Sequence, residues 1–156
     1  MNEVLEYIRR ELSYRLELPE NEVLLDSAAV LSDRSETRGA VISVVNFKVS
    51  AYQGSGLGRP DLLDSLELFL LFSFRFRRYD TSMKHLYRTI RLFHERPTHV
   101  SLDAHPENPL PADVEKLFFT LVPVELENLS GLWGTLGGQM LPSALYSLRM
   151  VRRKND

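Results

Sequence analysis

The stretch from Ser65 to Arg78, SLELFLLFSFRFRR, constrains the fold of this chain more than any other feature. Every second residue from Leu66 to Phe76 is apolar, so these side chains share one face of an extended strand. Phe69 and Leu71 make the opposite face apolar in its middle. A strand with two apolar faces must be covered on both sides, which places it at the centre of a sheet.

Two helices are predicted from apolar residues that recur every three or four positions. The first begins with Asn2 as its cap, buries Leu5, Ile8, Leu12 and Leu16, and is stopped by Pro19. The second is capped by Asp80 and ends before Pro97; its predicted buried stripe consists of Met83, Leu86, Ile90 and Phe93.

Further strands are predicted at Ala40–Tyr52 and Ala144–Arg152 because both segments are rich in β-branched and apolar residues. Val114–Val122 fits a strand or a short helix, and Glu22–Leu31 fits a short strand or an irregular edge. The proline-rich stretch Thr98–Pro111 is predicted to be loop. With a short helix around Trp133, these elements predict one α+β domain over residues 1–156. We expect a mixed, mostly antiparallel sheet flanked by an N-terminal, a middle and a short C-terminal helix.

Composition excludes several classes of function. The 156 residues are 44% hydrophobic and 26% charged, which is typical of a soluble globular protein. The absence of cysteine excludes disulfides, thiolate zinc sites and thiol nucleophiles, and it fits synthesis in a reducing cytoplasm. The amphipathic start is not a secretory signal, and the longest apolar run, Leu68–Phe72, is too short to span a bilayer. We therefore expect no membrane span and no export by the usual route.

No motif predicts enzymatic chemistry. Three glycines follow a strand as a phosphate cradle would, but no Gly-Lys-Ser/Thr step or helix comes next, so a hairpin loop explains Gly54, Gly56 and Gly58 better. Three histidines could bind zinc, but their spacing straddles a helix end and a loop, which favours surface positions for His94, His99 and His105. No nucleophile elbow is present. We expect no cofactor, no metal and no catalytic residue.

Charge is strongly segregated along the chain. Between Arg75 and Arg96 seven basic residues face two acidic ones, whereas Ser101–Leu129 holds six acidic residues and one lysine. A basic band can bind nucleic acid, but a net charge of −2 and equally strong acidic segments favour protein–protein complementarity; a plain solvated surface is the third alternative. The predicted interface residues are Arg75, Arg77, Arg78, Arg88, Arg91 and Arg149. Arg75 and Arg77 would emerge from one strand face, and Arg88 and Arg91 would form an outward row on the middle helix.

The segment Gly131–Met150 is predicted to have a structural role, as the last part of the chain to pack onto the sheet. Trp133 is expected to pack the short helix onto the sheet, and Gly137 and Gly138 suit a left-handed helix end. Pro142 then fixes the entry to the last strand.

This closing segment, LENLSGLWGTLGGQMLPSALYSLRMV, also resembles the C-terminal hallmark of the cap, or tail-terminator, family of contractile injection systems. Those systems are phage-tail-like particles built from an inner tube, a contractile sheath and a baseplate. The resemblance rests on Leu132-Trp133, Leu136-Gly137, Leu141-Pro142-Ser143, Tyr146 and Arg149-Met150. Weaker matches are the Val45-Asn46 step and the apolar strand, turn and helix that follow it, although Phe93-His94 departs from the family's Phe-Gln-like end.

The resemblance implies a structural protein without enzymatic activity. Such a protein would form a ring, with six copies expected, on the tube end distal to the baseplate. It would stop tube polymerisation and join the tube to the last sheath ring, so its partners would be itself and the tube and sheath proteins, with no nucleic acid. It would be made in the cytoplasm and end in a particle that is released or membrane-anchored. The alternatives are a nucleic-acid-binding module using the Arg75–Arg96 band and a small metal-dependent hydrolase using the histidine loop.

Overall fold

A computed structural model describes residues 1–32, 36–49 and 65–153 as helices packed on a six-stranded sheet. The described α-helices are α1 (Asn2–Leu16), α2 (Tyr79–Glu95) and α3 (Leu126–Thr135). The strands are β1 (Val23–Leu25), β2 (Gly39–Val49), β3 (Leu66–Arg75), β4 (Thr98–Val100), β5 (Val114–Leu121) and β6 (Ser143–Arg152). Short 3-10 turns lie at Glu20–Glu22, Ala28–Leu31 and Ser101–Asp103. The predicted α+β class is confirmed.

The sheet has the strand order β1-β2-β3-β6-β5-β4. Only the β1–β2 pair is parallel among the described strands, and the other four pairs are antiparallel. β3 lies between β2 and β6, as the two apolar faces of its sequence require. The segment that fitted a strand or a short helix is strand β5. The segment Glu22–Leu31 contains the edge strand β1 followed by a 3-10 turn.

The two faces of β3 pack against different helices. Leu70, Phe72 and Phe74 are buried in a core that includes α1 and α2. Leu71 points to the opposite face and joins a second cluster with Trp133 of α3 and Leu31 of the 3-10 turn. The domain therefore has three layers, with α1 and α2 on one side of the sheet and α3 on the other.

Both predicted helix caps are wrong. Asn2 lies inside α1, because the carbonyl oxygen of Met1 already accepts hydrogen bonds from the amides of Val4 and Leu5. Asp80 is the second residue of α2, whose N-cap is Arg78. Asp80 instead accepts hydrogen bonds from the Arg78 guanidinium, at 2.6 and 3.0 Å.

The predicted buried stripe of α2 is partly wrong. Leu86 and Phe93 are buried and Ile90 is half-buried, but Met83 is exposed. The buried face is rotated toward Ser82, whose hydroxyl accepts the backbone amide of Phe76 at 2.8 Å and so fixes how the helix leaves β3. A polar serine in this role gives no apolar signal in the sequence.

The segment predicted to be loop after α2 contains strand β4, whose three residues are too few to show alternation. Two predictions lie outside the described residues. They are the glycine loop with Gly54, Gly56 and Gly58, and the end of the strand predicted at Ala40–Tyr52.

Candidate interaction surfaces

The closing segment is built into the core through Trp133. This side chain is buried among Leu71, Leu141 and the 3-10 turn, and Leu132 packs half-buried against the same cluster. Gly137 and Gly138, which follow α3, have φ values of +108° and +80°. The amide of Gly138 reaches back to the carbonyl oxygen of Trp133 at 2.6 Å, so the left-handed helix end expected from the two glycines is present.

The remaining motif residues start and anchor β6. The carbonyl oxygen of Pro142 accepts the amide of Phe74 at 3.0 Å, and Ser143 pairs with Ser73 as the strand begins. Tyr146 is buried with its ring centroid 5.7 Å from that of Phe72, and burial raises the pKa of its hydroxyl to about 12. These positions lie in or against the cores.

Two of the six predicted interface arginines donate hydrogen bonds to backbone carbonyl oxygens of their own chain. The Arg75 guanidinium bonds the carbonyl oxygen of Leu31 at 2.6 Å and Oε1 of Gln139 at 3.3 Å. The Arg88 guanidinium bonds the carbonyl oxygens of Arg15 and Leu16 at 2.9 and 3.1 Å, which are orphan acceptors at the end of α1. Arg88 and Arg91 therefore do not form the outward row that their spacing suggested.

The other four arginines are turned toward solvent. Arg77 lies beyond the end of β3, and Arg149 lies on β6 opposite Glu67. Arg78 pairs with Asp80, and its hydrogen bonds hold the pKa of that carboxyl below its usual range. Arg91 pairs with Glu95 at 2.6 Å. Their role at an interface remains a prediction.

An exposed apolar stripe runs along α2, and it was missed from the sequence. Tyr79, Met83 and Tyr87 are four residues apart, which aligns them on one helix face. Their exposed fractions are 72%, 40% and 65%. We call these three residues the α2 stripe. Their spacing was visible in the sequence, but Met83 was assigned to the core, so the stripe was not recognised.

A second exposed apolar residue stands at the start of α3. Leu126 is 85% exposed, and the flanking Glu125 and Glu127 are exposed as well. We call these three residues the α3 knob. Both carboxylates beside Leu126 are therefore open to solvent.

The histidines do not converge on a site. His94 is exposed, and the His105 ring lies 4.5 Å from that of Tyr14. His99, predicted to be at the surface, is buried, with its Nδ1 3.1 Å from the Tyr7 hydroxyl. That prediction was wrong because β4, which carries His99 into the core, was not recognised. The residues that the structure describes contain no group of three potential metal ligands, and none of their helices could cross a membrane.

Comparison with known proteins identifies the family. The family described as the Pvc16 N-terminal domain matches residues 3–156. The chain belongs to this family. No curated protein matches it.

The Pvc16 N-terminal domain fold of this chain is also seen in a solved particle. A cryo-EM structure of the PVC sheath/tube terminator of an extracellular contractile injection system, in the extended state, matches with a TM-score of 0.64 and 13% identity. The match covers 99% of this chain and 57% of that one, so this chain spans just over half the length of the solved terminator. The resemblance to the tail-terminator family inferred from the closing segment is confirmed.

Proposed function

We propose that this chain is a structural terminator of a contractile injection system. It would form a ring, with six copies expected, on the tube end distal to the baseplate, stop tube polymerisation and join the tube to the last sheath ring. The observation that carries the proposal is membership of the Pvc16 N-terminal domain family over residues 3–156. The shared fold with a sheath/tube terminator supports it.

In this proposal the chain acts through its binding surfaces, and no residue performs covalent chemistry. One surface copies what the end of the tube presents, and another offers no site for the next tube subunit. A closed ring of identical subunits needs two different, complementary patches on each copy. The α2 stripe and the α3 knob lie on opposite sides of the sheet and are the candidates for these two patches. The chain would be made in the cytoplasm and end in the assembled particle.

The environment of the basic band favours protein partners over nucleic acid. Binding to a phosphate backbone draws on many cations that can release counterions. Here Arg75 and Arg88 donate to carbonyl oxygens of their own chain, and Arg78 and Arg91 lie beside carboxylates. We expect little affinity for duplex DNA, which fluorescence anisotropy with a labelled duplex at low salt can measure.

Tube assembly tests the proposal directly. Inner-tube protein of the same particle is polymerised with and without this chain, and tube lengths are measured by negative-stain electron microscopy. We expect shorter tubes that carry extra density at one end only. Unchanged tube lengths and bare ends at a molar excess of the chain would refute the proposal.

A charge-reversed variant provides the matched control for the predicted interface. Reversal of three exposed arginines, Arg77→Glu, Arg78→Glu and Arg91→Glu, should weaken capping while the circular dichroism spectrum stays unchanged. Arg88 is left intact because it stabilises the end of α1. Three reversals at exposed or half-exposed cations elsewhere, Arg10→Glu, Lys116→Glu and Arg153→Glu, change the net charge equally and should leave capping unaffected. Equal capping by the two variants would show that Arg77, Arg78 and Arg91 do not contribute to the interface.

A further inference from the structure

The α2 stripe combines exposure with the composition that is typical of protein interfaces. Tyrosine, methionine and arginine are enriched at the centres of protein interfaces, and large exposed apolar side chains in one row are uncommon on isolated domains. Two cations accompany the stripe: Lys84 lies one helical turn before Tyr87, and Arg77 lies two residues before Tyr79. Among the described residues neither cation has an ion-pair partner within 4 Å.

The α3 knob carries the complementary features. Leu126 is exposed and has a glutamate on each side in the sequence, and neither Glu125 nor Glu127 has an ion-pair partner in the part of the chain that the structure describes. An apolar side chain flanked by unpaired anions thus matches an apolar row accompanied by unpaired cations. Complementary charges of this kind fix the register of a contact and suppress wrong partners.

The two surfaces cannot meet within one copy. α2 packs on the face of the sheet that holds Phe72, through contacts such as Phe72–Phe93 with ring centroids 5.3 Å apart. α3 packs on the opposite face through Trp133. A contact between the solvent side of α2 and the start of α3 must therefore join different molecules. It is head-to-tail, because each copy contributes a different patch, and it can close into a ring.

We propose that this contact is the subunit interface of the ring: the α2 stripe of one copy receives Leu126 of the next, with Lys84 and Arg77 facing Glu125 and Glu127. The inference rests on the proposed function, because it assigns the interface of that ring. The occupant of the α2 stripe is a second copy of this chain, not the sheath or the tube.

The absence of cysteine allows a direct test. Tyr87→Cys and Leu126→Cys are prepared as two single variants, and each then has one thiol in the whole chain. A short bismaleimide crosslinker is added to each variant alone and to an equimolar mixture, both in solution and on tube ends. We expect a crosslinked dimer chiefly in the mixture. In a third variant that carries both substitutions, we expect a series of crosslinked oligomers that ends at the subunit number of the ring.

Each outcome decides a separate question. Capping of tubes without the mixed crosslink would overturn the interface and leave the terminator role standing. A mixed crosslink in solution without capping would support the interface and overturn the terminator role. Equally efficient crosslinking of Tyr87→Cys with itself, or its crosslinking to sheath or tube protein, would overturn the head-to-tail contact between copies.

A charge exchange on the crosslinking background tests the pairing of the flanking groups. Lys84→Glu should lower the yield of the mixed dimer severalfold at a fixed time, and adding Glu127→Lys on the partner copy should restore it. Arg10→Glu, on the exposed face of α1, is the control and should leave the yield unchanged. If Lys84→Glu lowers the yield no more than Arg10→Glu does, the proposed pairing is refuted.

Discussion

Gly39 opens β2 with a φ of +134°, and a Cβ added there would collide with the backbone carbonyl of Glu22. A side chain at this position would therefore be disfavoured twice. The positive φ is unfavourable for any L residue, and the backbone of Glu22 has little room to move away from the added Cβ. We expect Gly39→Ala to lower the free energy of unfolding by about 2–4 kcal/mol. Chemical denaturation followed by circular dichroism measures this directly.

Gly131 supplies the matched comparison for the same substitution. It lies inside α3, and a Cβ added there meets nothing within 4 Å. Alanine is the better helix former, so Gly131→Ala should raise stability by about 0.5–1 kcal/mol. If the two variants unfolded at the same denaturant concentration, the close approach of Gly39 to Glu22 would not describe the folded protein.

Single residues were predicted from the sequence where the cause is local. The glycines after α3 and the burial of Trp133 follow from helix-end geometry and from the size of the indole. His99 and Met83 were placed wrongly, because which face of a strand or helix is covered depends on neighbours distant in sequence. A histidine in a three-residue strand carries no periodic signal of its burial.

The packing of α1 against α2 depends on a polar contact as well as on apolar burial. α1 ends at Leu16, and Glu17 follows in the left-handed region with φ 57°. The Arg88 guanidinium of α2 satisfies two carbonyl oxygens at this end, where a cation also interacts favourably with the helix dipole. Arg88 therefore joins the two helices.

We expect Arg88→Ala to lower the free energy of unfolding by about 1–2 kcal/mol, because charged hydrogen bonds are lost at a side chain that is partly solvated. Arg91 is the control, since it lies one turn along the same helix in an exposed pair with Glu95. Arg91→Ala should leave stability almost unchanged. Thermal melts of the two variants compare them directly, and equal melting temperatures would show that the contact with α1 is not stabilising.

Element order was largely predictable because each long element has its own periodic pattern. The sequence of β3 placed it at the centre of the sheet, and strand-like runs located β2 and β6, whereas the run at β5 also fitted a short helix. β4 was missed, and both helix caps were assigned to the wrong residue. These errors share a cause, since a short strand and a helix start are fixed by hydrogen bonds to particular partners. The α2 stripe was missed for a different reason: which face of α2 is exposed depends on how the helix packs on the sheet, and Met83 was predicted to lie on the buried face.

The assembled layers bury two histidines, and this links the stability of the whole domain to pH. Burial lowers the pKa of His99, which lies between α1, α2 and β5. The charge of Glu11 and a backbone hydrogen bond with Arg96 oppose the shift, while the charges of Arg96 and Arg15 reinforce it. Burial also lowers the pKa of His85, aided by Arg88 and Lys84. Both rings are therefore held neutral in the folded state at pH values where the unfolded chain is already protonated.

The direction of the pH dependence follows from proton binding. Below the ordinary histidine pKa of 6.5 the unfolded chain binds more protons than the folded one, so the free energy of unfolding falls as the pH falls. We expect the melting temperature to drop between about pH 7 and pH 5, a window above most carboxylate titrations. His99→Gln should flatten this dependence even if it lowers stability at neutral pH. His94→Gln, at an exposed position on α2, is the control for removing an imidazole outside the core. Identical slopes for the parent chain and His99→Gln, measured by calorimetry across that window, would show that His99 titrates alike in both states.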